Sequence, residues 1–212
     1  MKLLNSLMVV IWILLITGCS YVSTQVDAYS SIPEDIDPRT VYLAPFKGMN
    51  IHDLEWQSNT QALAAVLKEK GFDVVGHQRD ARLTAYFGFH VNKGELVQNS
   101  YSIPEFGVTG YSKSNTYGTI HGESYSASTT FTPDYGVTGY RTGLATSVVF
   151  TRDVAINMID NRTRKTVFEA RGVSRGSCNS FAPVAISIIR AVLSNFPEGT
   201  NGTVDIPMEN QC

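Results

Sequence analysis

A possible nucleophile lies in the Gly-x-Ser-x-Gly pattern at Gly172–Gly176, which has Ser174 at its centre. In hydrolases with this pattern the serine sits on a turn between a strand and a helix, and the acid and the histidine follow it in the chain. Here the next predicted helix begins only near Pro183, and every histidine of the sequence precedes the serine: His52, His77, His90 and His121. The pattern therefore does not predict a hydrolase.

The remaining groups that could do chemistry are equally isolated. No histidine has the paired spacing of a metal site, and the chain has no phosphate-binding loop. Glu123 and Asp134 are carboxylates without a predicted cleft around them. We therefore predict no catalytic residue, no metal and no cofactor. The net charge of −2 also argues against a nucleic-acid partner bound through bulk positive charge.

The first nineteen residues indicate export. A lysine at position 2 precedes ten apolar residues, Leu7–Ile16, and then comes Ile16–Cys19, read Ile-Thr-Gly-Cys. This segment resembles the bacterial lipobox. The resemblance implies cleavage of a signal peptide over residues 1–18, acylation of Cys19 with palmitate, and a membrane anchor made of acyl chains. With serine at position 20, it also implies the outer membrane, with the domain on either its periplasmic or its outer face.

Two cysteines remain once Cys19 carries lipid. Cys178 and Cys212 can pair in an oxidising compartment, closing a separation of 34 residues. Residues 19–38 are predicted to be the lipidated cysteine followed by a tether, because the residues after Cys19 are polar, include prolines and have no helical stripe. Residues 201–212 are predicted to be a C-terminal tail.

A single domain is predicted over residues 39–200. Strands are indicated at 40–46, 72–75, 83–91, 147–160 and 165–173. A helix ends at Gly71, and its apolar stripe contains Trp56, Leu63, Val66 and Leu67. A second helix begins at Pro183. This order favours an α+β fold: a mixed, mostly antiparallel sheet with two helices on one face.

The domain is interrupted by a β insertion over residues 99–143. Ser, Thr, Gly and Tyr contribute 7, 8, 7 and 6 of its residues. The segment Pro104–Tyr111 returns 29 residues later as Pro133–Tyr140, with Gly-Val-Thr-Gly-Tyr identical in both copies. Between the copies bulky and small residues alternate, as in a strand. We expect ordered β structure, with the copies as two equivalent corners.

Six of the ten tyrosines lie in this insertion. Tyrosine with serine and glycine is typical of recognition surfaces, and exposed rings also suit glycans. Three readings stay open: the rings cover the insertion's own core, contact a protein partner or second copy, or bind glycan. The tentative binding residues are Tyr111, Tyr117, Tyr125, Tyr135 and Tyr140.

The order of elements resembles the small periplasmic α+β lipoproteins of unknown function. The resemblance rests on the Gly-capped helix, the alternating strand 83–91 and the turn at Asp160–Lys165, and it covers about residues 40–98 and 145–200. It implies a fold and an envelope location, and no known reaction. The expected function is a non-catalytic outer-membrane lipoprotein that supports an envelope assembly. The alternative is a module that binds peptidoglycan or polysaccharide.

Lipidation is tested by Cys19→Ala. Because only the acylated thiol would hold the mature chain on the membrane, this variant is expected to move to the soluble fraction and to lose labelled palmitate. Cys178→Ala is the matched control and should keep both properties. Membrane retention of the Cys19 variant would contradict the prediction.

Overall fold

The structure is a computed structural model that describes residues 20–209 and 212. They form a mixed sheet with two short helices, broadly an α+β fold. The predicted signal peptide at 1–18 and the predicted lipid site Cys19 lie outside these residues. Neither of the described helices has the length and hydrophobicity needed to cross a bilayer.

The described residues form eight strands and two α-helices. The strands are β1 (Tyr21–Ser30), β2 (Thr40–Pro45), β3 (Asp73–Val74), β4 (Leu83–Val91), β5 (Glu95–His121), β6 (Ser124–Asp160), β7 (Thr166–Gly176) and β8 (Thr200–Pro207), and the helices are α1 (Leu54–Glu69) and α2 (Ala185–Val192). The strand order is β3-β2-β4-β6-β7-β1-β8, and β5 pairs with β6. β2 is parallel to β3 and β4, and the other pairs in this order are antiparallel.

The chain divides into two compact units. The first contains the described residues up to Glu95 and from Val148 onward, with both helices. The second is Leu96–Ser147, which we call the arm. It comprises most of β5 and the first part of β6.

Helix α1 is defined at both ends by the sequence. The Asp53 carboxylate accepts a hydrogen bond from the Glu55 backbone N–H at 3.0 Å, which caps the first turn. At the other end Gly71 adopts φ +81°, and the Phe72 N–H donates to the Leu67 carbonyl at 3.0 Å. This is a Schellman ending, which needs glycine at the left-handed position. The predicted cap is confirmed, and the predicted stripe is buried: Trp56, Leu63, Val66 and Leu67.

The two helices and one side of the sheet enclose a common core. α2 contacts β1, β7, β8 and α1. Along β6 the side chains of Val154, Ile156 and Met158 are buried in this core, while the residues between them face the other side of the sheet. The Arg190 guanidinium of α2 also bonds the Glu69 carboxylate of α1 at 2.8 Å. The alternate burial along β6 therefore determines which of its side chains face the helices.

The predicted tether is wrong for Tyr21–Ser30. These residues form β1, which lies between β7 and β8. Its inward side chains Val22, Thr24, Val26 and Ala28 are all buried. Only two of the four are valines, so the alternation is weak in sequence. Pairing with a strand on each side stabilises it.

The predicted tail is also wrong, because residues 200–207 form β8. This strand pairs with β1 so that Tyr21 lies opposite Pro207, and the Met208 N–H donates to the Ser20 carbonyl at 2.8 Å. The Cα atoms of Cys178 and Cys212 are 5.3 Å apart, a separation that a disulfide spans. Both ends of the described chain are therefore held at one end of the sheet.

A conservative change in β1 distinguishes a strand from a tether. Val26 is fully buried, so Val26→Ala is expected to lower the free energy of unfolding by about 2 kcal/mol. Its neighbour Gln25 is exposed, and Gln25→Ala should change stability by less than about 0.5 kcal/mol. Urea denaturation measures both. Equal stability of the two variants would argue against the strand.

Candidate binding surfaces

The arm is a two-stranded hairpin closed by Gly122 and Glu123. Gly122 adopts φ +63° at the first turn position, as in a type II′ turn. Near the turn, hydroxyl pairs link the strands: Thr116 with Thr129 at 2.9 Å, and Thr119 with Ser126 at 3.1 Å. The β structure predicted for the insertion is therefore present.

The two copies of the repeat pair with each other across the hairpin. The Thr109 hydroxyl donates to the Asp134 carbonyl at 3.2 Å, and the equivalent Thr138 hydroxyl donates to the Glu105 carbonyl, also at 3.2 Å. The same contact is thus made in both directions, which gives this part of the hairpin a local two-fold symmetry. The expectation of two separate corners is wrong, because the copies are facing strand segments.

Each copy supplies a glycine that the other copy's threonine covers. A Cβ added at Gly107 would lie 3.0 Å from the Thr138 methyl, and one added at Gly136 would lie 3.1 Å from the Thr109 methyl. Any larger residue at either glycine would push the opposite threonine away. The identity of the two copies therefore has a structural reason that is independent of any ligand.

The five predicted binding tyrosines are all exposed, and they differ in their contacts. The Tyr125 ring lies against Gly118, where an added Cβ would be 2.5 Å from the phenol oxygen. Tyr111 contacts Phe131 edge to face at 5.6 Å. These two rings support the hairpin. The largest exposed fractions, 71–75% of the residue surface, belong to the other three: Tyr117, Tyr135 and Tyr140.

The helix-free face of the sheet carries an apolar cleft of about 440 Å³. Phe46 and Met49 lie over Gly88, where an added Cβ would be 2.7 Å from the Phe46 Cβ. Lys47, Arg171 and Asp153 add charged groups of both signs to its lining. No local pattern in the sequence predicts this cleft, since its lining comes from strands that are distant in the chain.

A second cleft, of about 480 Å³, is polar and lies at the far end of the sheet from Ser20. At its base the Arg82 guanidinium makes two bonds to the Asp160 carboxylate, at 2.8 and 3.2 Å. Asp160 also accepts the backbone N–H groups of Arg162 at 2.8 Å and Thr163 at 3.3 Å. The hydrogen bonds from Arg82, with the two backbone donors, lower the pKa of Asp160 from 3.8 to about 2.

Ser174 does not occupy a nucleophile elbow. It lies within β7 and is 1% exposed, with its hydroxyl 3.4 Å from Nη2 of Arg152. Burial lowers the pKa of Arg152. A serine in a strand interior cannot present its oxygen to a substrate. In the part of the chain that the structure describes, no three His, Cys, Asp or Glu side chains are grouped so as to hold a metal ion.

Residues 23–198 match the family described as "Domain of unknown function (DUF4136)". The chain belongs to this family. No curated protein matches it. Among solved structures it is similar to the crystal structure of a PDZ domain protein from Parabacteroides distasonis, with 7% identity and a TM-score of 0.42. That match covers 95% of this chain and 42% of the other, so the DUF4136 chain spans less than half of that protein's length.

The Arg82–Asp160 pair predicts a pH-dependent stability. Because the folded pKa of Asp160 is lowered, its contribution is complete above its ordinary value of 3.8 and is lost as the pH falls towards about 2. Asp160→Asn is expected to cost about 2 kcal/mol at neutral pH and to flatten the stability curve over that acid range. Urea titrations at a series of pH values measure both effects.

The exposed carboxylate of Asp153 provides the control. Asp153→Asn should leave the acid dependence of the wild type in place, since this exposed carboxylate makes no ion pair with any residue that the structure describes. An unchanged acid slope in Asp160→Asn would contradict the assigned role of the pair.

Proposed function

We propose that this DUF4136 protein is an outer-membrane lipoprotein, anchored through Cys19, whose non-catalytic domain supports an envelope assembly through its arm. The observation that carries the proposal is the exposed aromatic surface of the arm. Eight aromatic residues there are each more than half exposed: Tyr101, Phe106, Tyr111, Tyr117, Tyr125, Phe131, Tyr135 and Tyr140.

A two-stranded hairpin cannot bury such a surface by itself. It has no third strand or helix within its own unit to cover either face, and isolated hairpins are marginally stable in water. The arm also has few charges to keep partners away, namely Glu105, Lys113, Glu123, Asp134 and Arg141 among its 52 residues. Contact with a protein, either an envelope partner or a second copy of the chain, would remove the rings from water.

The start of β1 bears on how the domain would be anchored. Tyr21 begins the strand two residues after Cys19, so a lipid on that cysteine would be joined to the sheet without an intervening tether.

The strand register shows which residues lie near this end of the sheet. Thr24 is opposite Ser174, and Arg152 pairs with both Ser174 and Val91. Val91 and Arg152 of the first unit therefore lie level with Thr24, towards the Ser20 end of the sheet.

Glycan binding is the second candidate. The most exposed rings, Tyr117, Tyr135 and Tyr140, would offer faces on which sugar rings can stack. Peptidoglycan or a surface polysaccharide would then be the ligand. The same rings serve both proposals, so the readout must separate the two classes of partner.

The test replaces these three tyrosines with serine in the full-length protein. Since the three side chains are largely in water, the variant is expected to melt within a few degrees of the wild type. Crosslinking in intact cells should lose the adducts formed by the wild type, with at least about a tenfold decrease in yield. Wild-type adducts containing only this chain would identify the partner as a second copy.

Tyr29→Ser is the matched control. Tyr29 is 66% exposed and lies in β1, outside the arm, so its loss should leave the adducts unchanged. Binding to purified sacculi or polysaccharide that depends on the three tyrosines, without protein adducts, would favour the glycan candidate. Unchanged adducts in the triple variant would refute the arm as the contact surface.

A further inference from the structure

The polar cleft has a rigid base and exposed arginines at its rim. Two segments far apart in the chain form most of it, the loop before β4 and the turn between β6 and β7, and Pro38 from the loop before β2 completes the lining. The Asn161 amide donates to the Ala81 carbonyl at 3.0 Å and accepts the Thr84 hydroxyl at 2.8 Å. These bonds, with the Arg82–Asp160 pair, hold the two segments together.

The charge that remains at the rim is positive. Arg82 is paired with Asp160, which leaves Arg79, Arg162 and Arg164 with Asp80 among the lining residues; the carboxylates of Asp35 and Asp37 also act on Arg82 but do not line the cleft. The Arg79–Asp80 contact is 3.8 Å long and mostly exposed, so it offsets little of this charge. Three guanidinium groups therefore border one cleft in a chain whose net charge is −2.

Arg164 occupies its position at a conformational cost. It adopts φ +60°, the left-handed region, and it is the one residue other than glycine with positive φ in the described chain. The turn places it there: the Arg164 N–H donates to the Asp160 carbonyl at 2.7 Å, and the Asp160 N–H donates to the Lys165 carbonyl at 3.0 Å. Glycine would fit with about 1 kcal/mol less strain. An arginine at this position provides a guanidinium at the cleft that glycine would not.

We propose that this cleft binds a compact oxyanion, a phosphate or a polycarboxylate, between Arg79, Arg162 and Arg164. Guanidinium groups bind both anions through paired N–H donors. A volume of about 480 Å³ accommodates such a group with several waters.

The position of the cleft bears on where the anion comes from. Arg152 of β6 is level with Thr24 of β1, and Asp160 at the cleft is eight residues further along β6. Eight residues of strand span about 26 Å. This step rests on the proposed anchoring at Cys19, since it takes the Ser20 end as the membrane end. Headgroups of the anchoring leaflet are then at the opposite end of the sheet, so the ligand is a soluble or wall-borne anion.

The test is calorimetric titration of the full-length protein in a neutral detergent with pyrophosphate and, separately, with tricarballylate. The wild type is expected to bind at least one of them with a Kd below about 1 mM at low salt. The variant Arg162→Ala/Arg164→Gly should weaken that binding at least about tenfold. No binding of either anion to the wild type would overturn the proposal.

The matched control is Arg171→Ala/Arg175→Ala, which removes the same formal charge from β7 outside this cleft; Arg171 lines the apolar cleft, and Arg175 makes an exposed ion pair with Glu95. It should change the affinity less than about twofold. Equal weakening in the two double variants would attribute binding to net charge and would also overturn the proposal.

Arg164→Gly by itself separates binding from folding. Relief of the left-handed strain should raise its melting temperature by a few degrees while its anion affinity falls. A more stable variant with unchanged affinity would exclude Arg164 from the site.

Phosphatidylglycerol vesicles distinguish a lipid source. Vesicle binding by the Cys19→Ala protein should not depend on Arg162 and Arg164. Vesicle binding that requires these two arginines, without binding of either small anion, would overturn the proposal in favour of a headgroup site. Titration in detergent does not require the acyl anchor. A failure of the proposed lipidation would therefore be seen separately from a failure of anion binding.

Discussion

The insertion of β1 between β7 and β8 is the constraint on which the rest of the first unit depends. Val26 in β1 is fully buried under α2, and the same strand aligns the N-terminal and C-terminal ends of the described chain. Without β1, no strand would connect β8 to β7, and β8 would have no partner in the sheet. Helix α2 would also lose part of the surface on which it packs. The strand also determines that any anchor at Cys19 would be attached directly to the sheet.

Because both helices pack in one common core, the two sides of the sheet have different properties. The core side is filled by alternate residues such as Val154 and Ile156, and the other side carries the partly buried residues between them, such as Ala155 and Asn157. The candidate binding surfaces are the helix-free face, the polar cleft at one end of the strands, and the arm. Ser174 belongs to none of them, because it is buried inside a strand.

Local signals predicted the elements that are stabilised locally. The stripe of α1, its Gly71 end, the strand Leu83–Val91 and the turn after Asp160 all agree with the structure, because spacing and capping act within a few residues. β1 and β8 were missed for the opposite reason. Their inward residues include the polar Thr24 and Gly202, which has no side chain, so the apolar alternation is weak, and pairing with distant strands supplies the stability.

The sequence by itself determined the two identical repeat copies, the aromatic content of the arm and the alternation of the core strands. Tertiary structure decided how these features are arranged. It placed the copies opposite each other, so that Thr109 and Thr138 cover each other's glycines, and it separated supporting rings from exposed ones. It also brought Arg79 to Arg162 and Arg164 across about 80 residues of chain. Such groupings depend on strand pairing over long separations, for which one sequence contains no local signal.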